Sequence, residues 1–456
     1  MPIFKRIHLL AVFIFFFYPI NLFAQKPSLI SGPWAGNVEL RNATIWAEVS
    51  PSVRTVAVKY SRGDSKIKTV FYKGPLHNEF NPVKIELNNL EINSVYTYTL
   101  VLDGNEIKTS FPTRFITKDL WEWRKPAPDF TFLAGSCSYF NEPVYDRPGK
   151  PYGGDSSIFE TMAGIPAAFH IWMGDNWYTR EVDFYSTWGM TYRASRDRSQ
   201  KVIQRLMSSM PQYAIWDDHD YGPNDIGKNF ILKDESRNIF KNYTLNPGYG
   251  EEGKGIYTKI SYSDADIFLT DDRFFRSDDN MPDSINGKPS TSKTFFGQMQ
   301  MDWLKNSLMY SKATFKIIVV GSQVINPLGT TECMRRYSFE YNDLINFISA
   351  QNISGILFFS GDRHHSEVMK VERPGAYSLY DITISPYTAG ISRPSAAEAN
   401  HPNRIINTLV EQQNFGTISI TGKKNERKLR VQFLGLKGQL LGEWSITENE
   451  LRNGLK

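Results

Sequence analysis

Four apolar stretches of this 456-residue chain run directly into groups that hold cations or move protons. The first gives Ala134-Gly-Ser-Cys137-Ser, and the second Trp172-Met-Gly-Asp175-Asn-Trp-Tyr178. The third gives Ile215-Trp-Asp217-Asp218-His219-Asp220, with Asn224 after a Gly-Pro turn. The fourth gives Phe358-Phe-Ser-Gly361-Asp362-Arg363-His364-His365. Each string alone reads equally well as a helix cap or a buried filler, because Asp caps helices and a lone Cys packs like a small apolar residue. All four in one order point elsewhere. Ligands bind at the carboxyl ends of strands in α/β sheets, so these groups should converge. Several carboxylates and a thiolate at one sheet edge repel one another unless a multivalent cation cluster neutralises them. His and Cys add nitrogen and sulfur donors, which a purely hard-cation site would not need.

The elements that carry these strings alternate. Strands are predicted over 130–134, 167–173, 213–216, 315–320 and 353–359, and helices over 156–164, 197–210, 297–311 and 341–350. This is an α/β layout, which returns to β structure over 415–446. Upstream, residues 28–118 carry period-2 runs. Val56, Val58 and Tyr60 share a face, Tyr96, Tyr98, Leu100 and Leu102 share another, and Asp103-Gly104 marks a tight turn. These imply a small all-β sandwich. Residues 119–128, with Trp121, Trp123, Pro126 and Pro128, read as a linker whose tryptophans clamp the two parts together, and 129–447 as the catalytic domain. Residues 1–24 read as an export signal: Lys5 and Arg6 precede an apolar run from Leu9 to Ile20, and Ala24 ends it. The run is short for a membrane span, and the mature chain is expected to be exported without one, to periplasm, cell surface or medium.

Composition sets limits. Hydrophobic residues at 41% and charged residues at 22% are globular values. Lys+Arg 52 against Asp+Glu 48 leaves +4, which argues against a dedicated nucleic-acid binder. Two cysteines, Cys137 and Cys333, exclude a disulfide framework and a cysteine-rich zinc module. His170 lies within an apolar strand and reads as a satisfied core histidine, and Cys333 as structural.

Taken together, Gly135-Ser-Cys137, Gly174-Asp-Asn-Trp-Tyr178, Trp216-Asp-Asp-His-Asp220 with Asn224, and Gly361-Asp-Arg-His364 resemble the PhoD-like metallophosphoesterases, the alkaline phosphatase D family. Thr270-Asp-Asp-Arg273-Phe-Phe-Arg276 and Phe296-Gly-Gln-Met-Gln-Met-Asp-Trp-Leu304 share the resemblance. So do Ser31-Gly-Pro33 and Thr44-Ile-Trp46 at the start of the sandwich, which itself looks like a fibronectin type III-like module. The resemblance implies a four-layer αββα domain with a di- or trinuclear metal centre, and a small phosphate ester, monoester or diester, as substrate. By position, Cys137, Asp175 and Tyr178 resemble iron-side ligands, with Asp175 bridging to a second metal held by Asp218. Asn224, Asp362 and His364 resemble further ligands, and the tandem His364-His365 leaves open which of the two binds. His219 resembles the histidine that contacts the phosphoryl oxygen or leaving group. Asp220 stands where the family more often has Glu. Thiolate and phenolate suit Fe3+, and the remaining oxygen ligands suit Ca2+, with Mn2+, Mg2+ and Zn2+ as alternatives. Metal ions would neutralise developing phosphoryl charge and lower the pKa of bound water to roughly 7. Arg363 is the expected phosphate clamp, with Arg180, Arg193 and Arg273 as further candidates, because a guanidinium matches phosphate oxygens bidentately. Trp177, Trp188 and Tyr192 are candidates to wall the cleft, with core packing expected for at least two of them. Other classes compatible with the sequence are a non-catalytic surface binding protein built on the fibronectin-like module and an exported nuclease.

Overall fold

The computed structural model describes residues 28–328 and 332–453, so the expected signal segment, 1–24, lies outside the described residues. Two six-stranded sheets carry the site. The first runs Gln212–Ile215, His170–Met173, Phe130–Gly135, Asn414–Thr421, Lys428–Gly435, Leu440–Thr447. Its first three strands are parallel, and the last three form an antiparallel meander added to their edge. The second sheet runs Thr258–Tyr262, Ala265–Leu269, Phe315–Val320, Ile356–Ser360, Ala376–Thr383, Glu367–Arg373, with a parallel centre. The central strands are short uninterrupted apolar runs, as strands covered on both faces must be. Phe132 of the first sheet packs on Phe359 of the second, ring centroids 6.3 Å apart, so inner faces meet in one core. Helices Ile158–Ala163 and Lys201–Ser209 pack on each other, as do Gly297–Tyr310 and Ser338–Ala350.

Residues 29–116 form strands only. Leu29–Gly36, Asn42–Val49 and Asn81–Asn88 make one antiparallel sheet; Lys68–Phe71, Val56–Ser61 and Val95–Leu102 make another, with Asn105–Glu106 and Arg114–Ile116 along Val95–Leu102. Tyr96, Tyr98, Leu100 and Leu102 point inward while Val95 and Thr97 stay exposed, the alternation a half-buried strand requires. This part has its own apolar core.

What joins the two parts differs from expectation. Trp123 is 98% exposed and clamps nothing. The clamp comes from Trp34 and Trp46, stacked 4.1 Å apart and buried in the core of the two-sheet region. Trp46 Nε1 donates to the Asn242 carbonyl at 2.7 Å. Beside them, the buried Glu48 carboxylate accepts from Ser195 (2.8 Å) and Tyr243 (2.7 Å), and Lys84 donates to the Thr244 carbonyl (2.7 Å) at the end of helix Lys233–Tyr243. A cation at a helix C-terminus is favourable. Trp123 lies on a solvent-facing turn, while Trp121 is half-buried.

Helix Thr187–Arg198 precedes Lys201–Ser209, where one helix over 197–210 was expected. Its buried face is unusual: Arg193, Asp197 and Arg198 are inside, held by ion pairs and ring contacts. Such a helix has no apolar stripe to reveal it.

His170 is buried, as read from the sequence, with Nδ1 2.8 Å from Gln212 Oε1 and Nε2 2.6 Å from the Tyr387 hydroxyl. Burial, with help from Arg198, pushes its pKa down to about 3. The unfolded chain takes up a proton near pH 6.5 that the folded site refuses until about pH 3, so stability from this residue is lost as pH falls through that window. Thermal melts from pH 7 to 4 should fall less steeply for His170→Gln than for the parent; parallel slopes would refute the assignment.

Candidate active site

The loops that follow the parallel strands bring the four sequence strings to one place. Cys137, Asp175 and His364 each present a donor atom, all within 4.8 Å of one another, and Asp175, Asp218 and His219 do the same. Asp175 therefore belongs to both groups. Its Oδ2 accepts from the Tyr178 hydroxyl at 2.8 Å and from the Cys137 thiol at 3.5 Å, and its Oδ1 from the His219 backbone N–H at 3.3 Å. Tyr178 also lies 3.2 Å from His364 Nε2, and its ring stacks on His219 at 4.1 Å. Of the tandem histidines, His364 thus faces the cluster. His365 turns away, with Nδ1 3.1 Å from the Ser392 carbonyl and Nε2 3.7 Å from Glu367.

Backbone conformation matches this convergence. Cys137, Asp175, Asp362 and His364 all have positive φ, between 54° and 63°. Such conformations cost non-glycine residues energy and persist only where the surroundings impose them. Gly174 precedes Asp175 at φ 95°, and a Cβ there would lie 2.7 Å from Asp217 Cβ, so only glycine lets the second and third strings approach.

A second carboxylate group lies alongside. Asp217, Glu332 and Asp362 come together, as do Asp218, Asp225 and Glu332. Glu332 and Asp225 were not read from the sequence as site residues. Asp225 adjoins Asn224 in the turn after Gly222-Pro223, a signal that was available; Glu332 follows no motif strand and carried none. Asn224 is exposed and lines the cavity together with His219 and Tyr178. Asp220 supports from below, accepting from the backbone N–H groups of Asn176 (2.9 Å) and Asp217 (2.6 Å).

The electrostatics of the bare protein are unfavourable for so many acids. Burial, then Cys137, Asp218 and Asp220, raises Asp175 well above the carboxylate range, and burial followed by Glu332 raises Asp362 to about 7. Burial pushes the Cys137 thiol up to about 11. Asp217 Oδ2 and His219 Nδ1 are buried with no hydrogen-bond partner among the described residues. Crowded acceptors without enough donors, offering sulfur, phenol, imidazole and carboxylate, are the donor set of a multinuclear cation centre.

The arginines expected to clamp phosphate have other partners. Arg180 pairs with Asp146 (2.9 Å) and lies over the Tyr139 ring. Arg193 pairs with Asp183 (2.9 Å) and Glu142 (2.6 Å). Arg273 Nε reaches Asp217 (2.6 Å) and its Nη1 reaches Glu332 (2.8 Å). Arg363 pairs with Glu398. Buried guanidinium groups require carboxylate partners, and sequence spacing did not reveal them. Trp177 is buried against Phe240 and Tyr243, while Trp188 stacks on Tyr192 at 5.4 Å and donates to Glu79. Cys333 is buried away from the cluster, its Sγ 3.6 Å from the Val324 carbonyl. A cavity of about 230 Å³ opens over the site, lined by Tyr139, Tyr152, Tyr178, Arg147, His219 and Asn224 among others.

A family model described as PhoD-like phosphatase matches residues 132–431, which includes every ligand candidate above. The chain belongs to the PhoD-like phosphatase family. It is 21% identical to alkaline phosphatase D of Bacillus subtilis (strain 168) over 328 residues, 62% of this chain and 53% of that protein, so it spans about half the length of the relative it matches. A solved PhoD structure superposes with TM-score 0.70 at 17% identity, covering 91% of this chain and 88% of that one. A purple acid phosphatase from yellow lupin (Lupinus luteus) seeds gives TM-score 0.65 at 11% identity, covering 92% and 74%. These two establish a shared fold. In this PhoD-like chain the inner wall depends on Arg273. Arg273→Met would leave Asp217 buried without its cation and Glu332 with Arg276 alone (3.1 Å), and should destabilise the protein by about 3–5 kcal/mol in denaturant unfolding. A loss below about 1 kcal/mol would show the pairing to be dispensable.

Proposed function

We propose that the protein is an exported metal-dependent hydrolase of small phosphate esters. The observation that carries this is Asp175, one carboxylate shared by two groups of potential ligands beside a histidine that lines an open cavity. Cys137, Asp175, Tyr178 and His364 would hold ferric iron, and Asp175, Asp218 and the neighbouring carboxylates a second ion such as calcium, with Asp362 and Asn224 as further ligand candidates. When bound, the ions supply charge neutralisation for the phosphoryl group and an acidified water as nucleophile. Export rests on the character of residues 1–24, and the modest net charge supports a small substrate over nucleic acid. Residues 28–118 are read as a fibronectin-like sandwich, and 129–447 as the four-layer catalytic domain. Arg363, paired with Glu398, is assigned to positioning the Asp362–His364 segment.

His219 is assigned to proton delivery. Its ring is fixed by stacking on Tyr178 and by Asp218, whose Oδ2 lies 3.8 Å from Nε2. A ring so held can give a proton to the departing ester oxygen while the carboxylates keep the metals. His219→Ala should therefore retain its metals and lose about 10²–10⁴-fold in rate. The loss should be smallest for a nitrophenyl ester, whose leaving group needs no acid, and largest for an alkyl ester. Equal losses would leave only an electrostatic role, and loss of metal would make His219 a ligand.

Iron has its own signature. If Cys137 and Tyr178 bind ferric iron as anions, the concentrated protein should be coloured, and Tyr178→Phe should shift or remove the phenolate part of the band. A colourless, fully active protein containing only zinc or manganese would overturn the iron assignment.

A further inference from the structure

Tyr152, in the loop that covers the cluster, belonged to none of the sequence strings. Its loop is well held: Asn141 exchanges hydrogen bonds with Gly153 at 2.7 and 2.9 Å, and the Gly154 N–H donates to the Thr388 carbonyl at 2.6 Å. The Tyr152 ring packs edge-on against Tyr139 and Tyr178, with centroids 4.9 and 6.3 Å apart. It also lies flush against Gly390, where a Cβ would come within 2.8 Å of Tyr152 Cε2. A half-exposed side chain with this much support has a fixed hydroxyl.

That hydroxyl lies 3.1 Å from His364 Nδ1. The same nitrogen is 2.6 Å from the Gly390 carbonyl, which can only accept. Nδ1 therefore carries the His364 proton and gives it to Gly390, and Nε2 presents its lone pair to the cluster. With no lone pair on Nδ1 to receive it, the Tyr152 proton cannot point at His364. Tyr152 lines the cavity with His219 and Asn224, so its proton is free to be donated there. The arginines that could have served there are paired with carboxylates.

We infer that the Tyr152 hydroxyl is a substrate-contacting donor that hydrogen-bonds a non-bridging oxygen of the phosphoryl group. The inference rests on the phosphoesterase reading of this site. A neutral donor to a charged oxygen stabilises both bound phosphate and the more highly charged transition state.

The test is Tyr152→Phe, which removes one oxygen from a partly exposed ring. Three quantities are measured on the metal-loaded protein: metal content, affinity for inorganic phosphate by calorimetry, and kcat/KM on a nitrophenyl and an alkyl ester. Unchanged metal content is expected. Phosphate affinity should weaken by about 10- to 100-fold, with kcat/KM falling by a similar factor on both esters. Parental phosphate affinity would overturn the inference. Loss of metal would overturn it as well, making Tyr152 a support for His364, and a loss confined to the alkyl ester would make it a leaving-group donor instead. If the parent protein hydrolyses neither ester, the phosphoesterase reading fails, and the phosphate affinities of the two proteins still decide the role of Tyr152.

Discussion

Buried negative charge at the ends of parallel strands is the constraint on which the site depends. Asp175, Asp217 and Asp218 are almost wholly inside and Asp362 is half-buried, close to Cys137 and Glu332. Taking one carboxylate out of water is costly, and several together repel. Two remedies are built into the chain. On one side Arg273 is inserted between Asp217 and Glu332 as a permanent counter-charge. On the other side the donors around Asp175 find only two weak acids, Tyr178 and Cys137, and a backbone N–H. That side could take cations, so that the two halves of the acidic cluster would divide between internal and external neutralisation.

Holding such groups together takes backbone rigidity. Left-handed conformations at Cys137, Asp175, Asp362 and His364 cost of order 1–3 kcal/mol each. They are sustained because each residue follows a strand buried on both faces, whose ladder does not yield. The strand-only N-terminal part contributes to this support. Lys84, Glu48 and Trp46 fix helix Lys233–Tyr243, and Phe240 and Tyr243 of that helix pack on Trp177, next to the Tyr178 ligand candidate. Arg180 and Arg193 brace the outer wall in the same manner through Asp146, Glu142 and Asp183.

Legibility in the sequence followed apolar content. The central strands of both sheets were readable because uninterrupted apolar runs have few other uses, and the residues after them were readable as a group because their chemistry repeats. Helices Thr187–Arg198 and Lys233–Tyr243 fell largely in stretches where no helix was predicted, since ion pairs bury the first and contacts with the N-terminal part anchor the second. The carboxylate partners of the arginines were hidden for a related reason: a guanidinium near a motif is equally suited to phosphate and to a carboxylate, and Glu398, Glu332, Asp183 and Asp146 lie 10 or more residues from the arginines they pair with. Glu332 itself lies in a segment without motif or periodicity, and only the folded chain brings it to Asp217 and Asp362.

The pairing of the arginines shapes how phosphate can be bound. In a pocket where guanidinium groups face the ligand, much of the anion's charge is met by the protein itself. Here the groups that line the cavity beside the ligand cluster are His219, Asn224 and the tyrosines, with the solvated Lys150 at the exposed rim and Arg180 paired with Asp146. The exposed Arg147 is shared with Glu181 and, being well solvated, contributes little. Neutral donors orient an anion but do not offset its desolvation. On the proposed reading, cations held by Asp175 and its neighbours would supply most of the charge complementarity, and anion binding would be coupled to metal occupancy by simple electrostatics. The same carboxylates that repel one another in the bare cluster are what would make such cations bind, so on that reading metal affinity, phosphate affinity and the strain at the strand ends are three aspects of one charge balance.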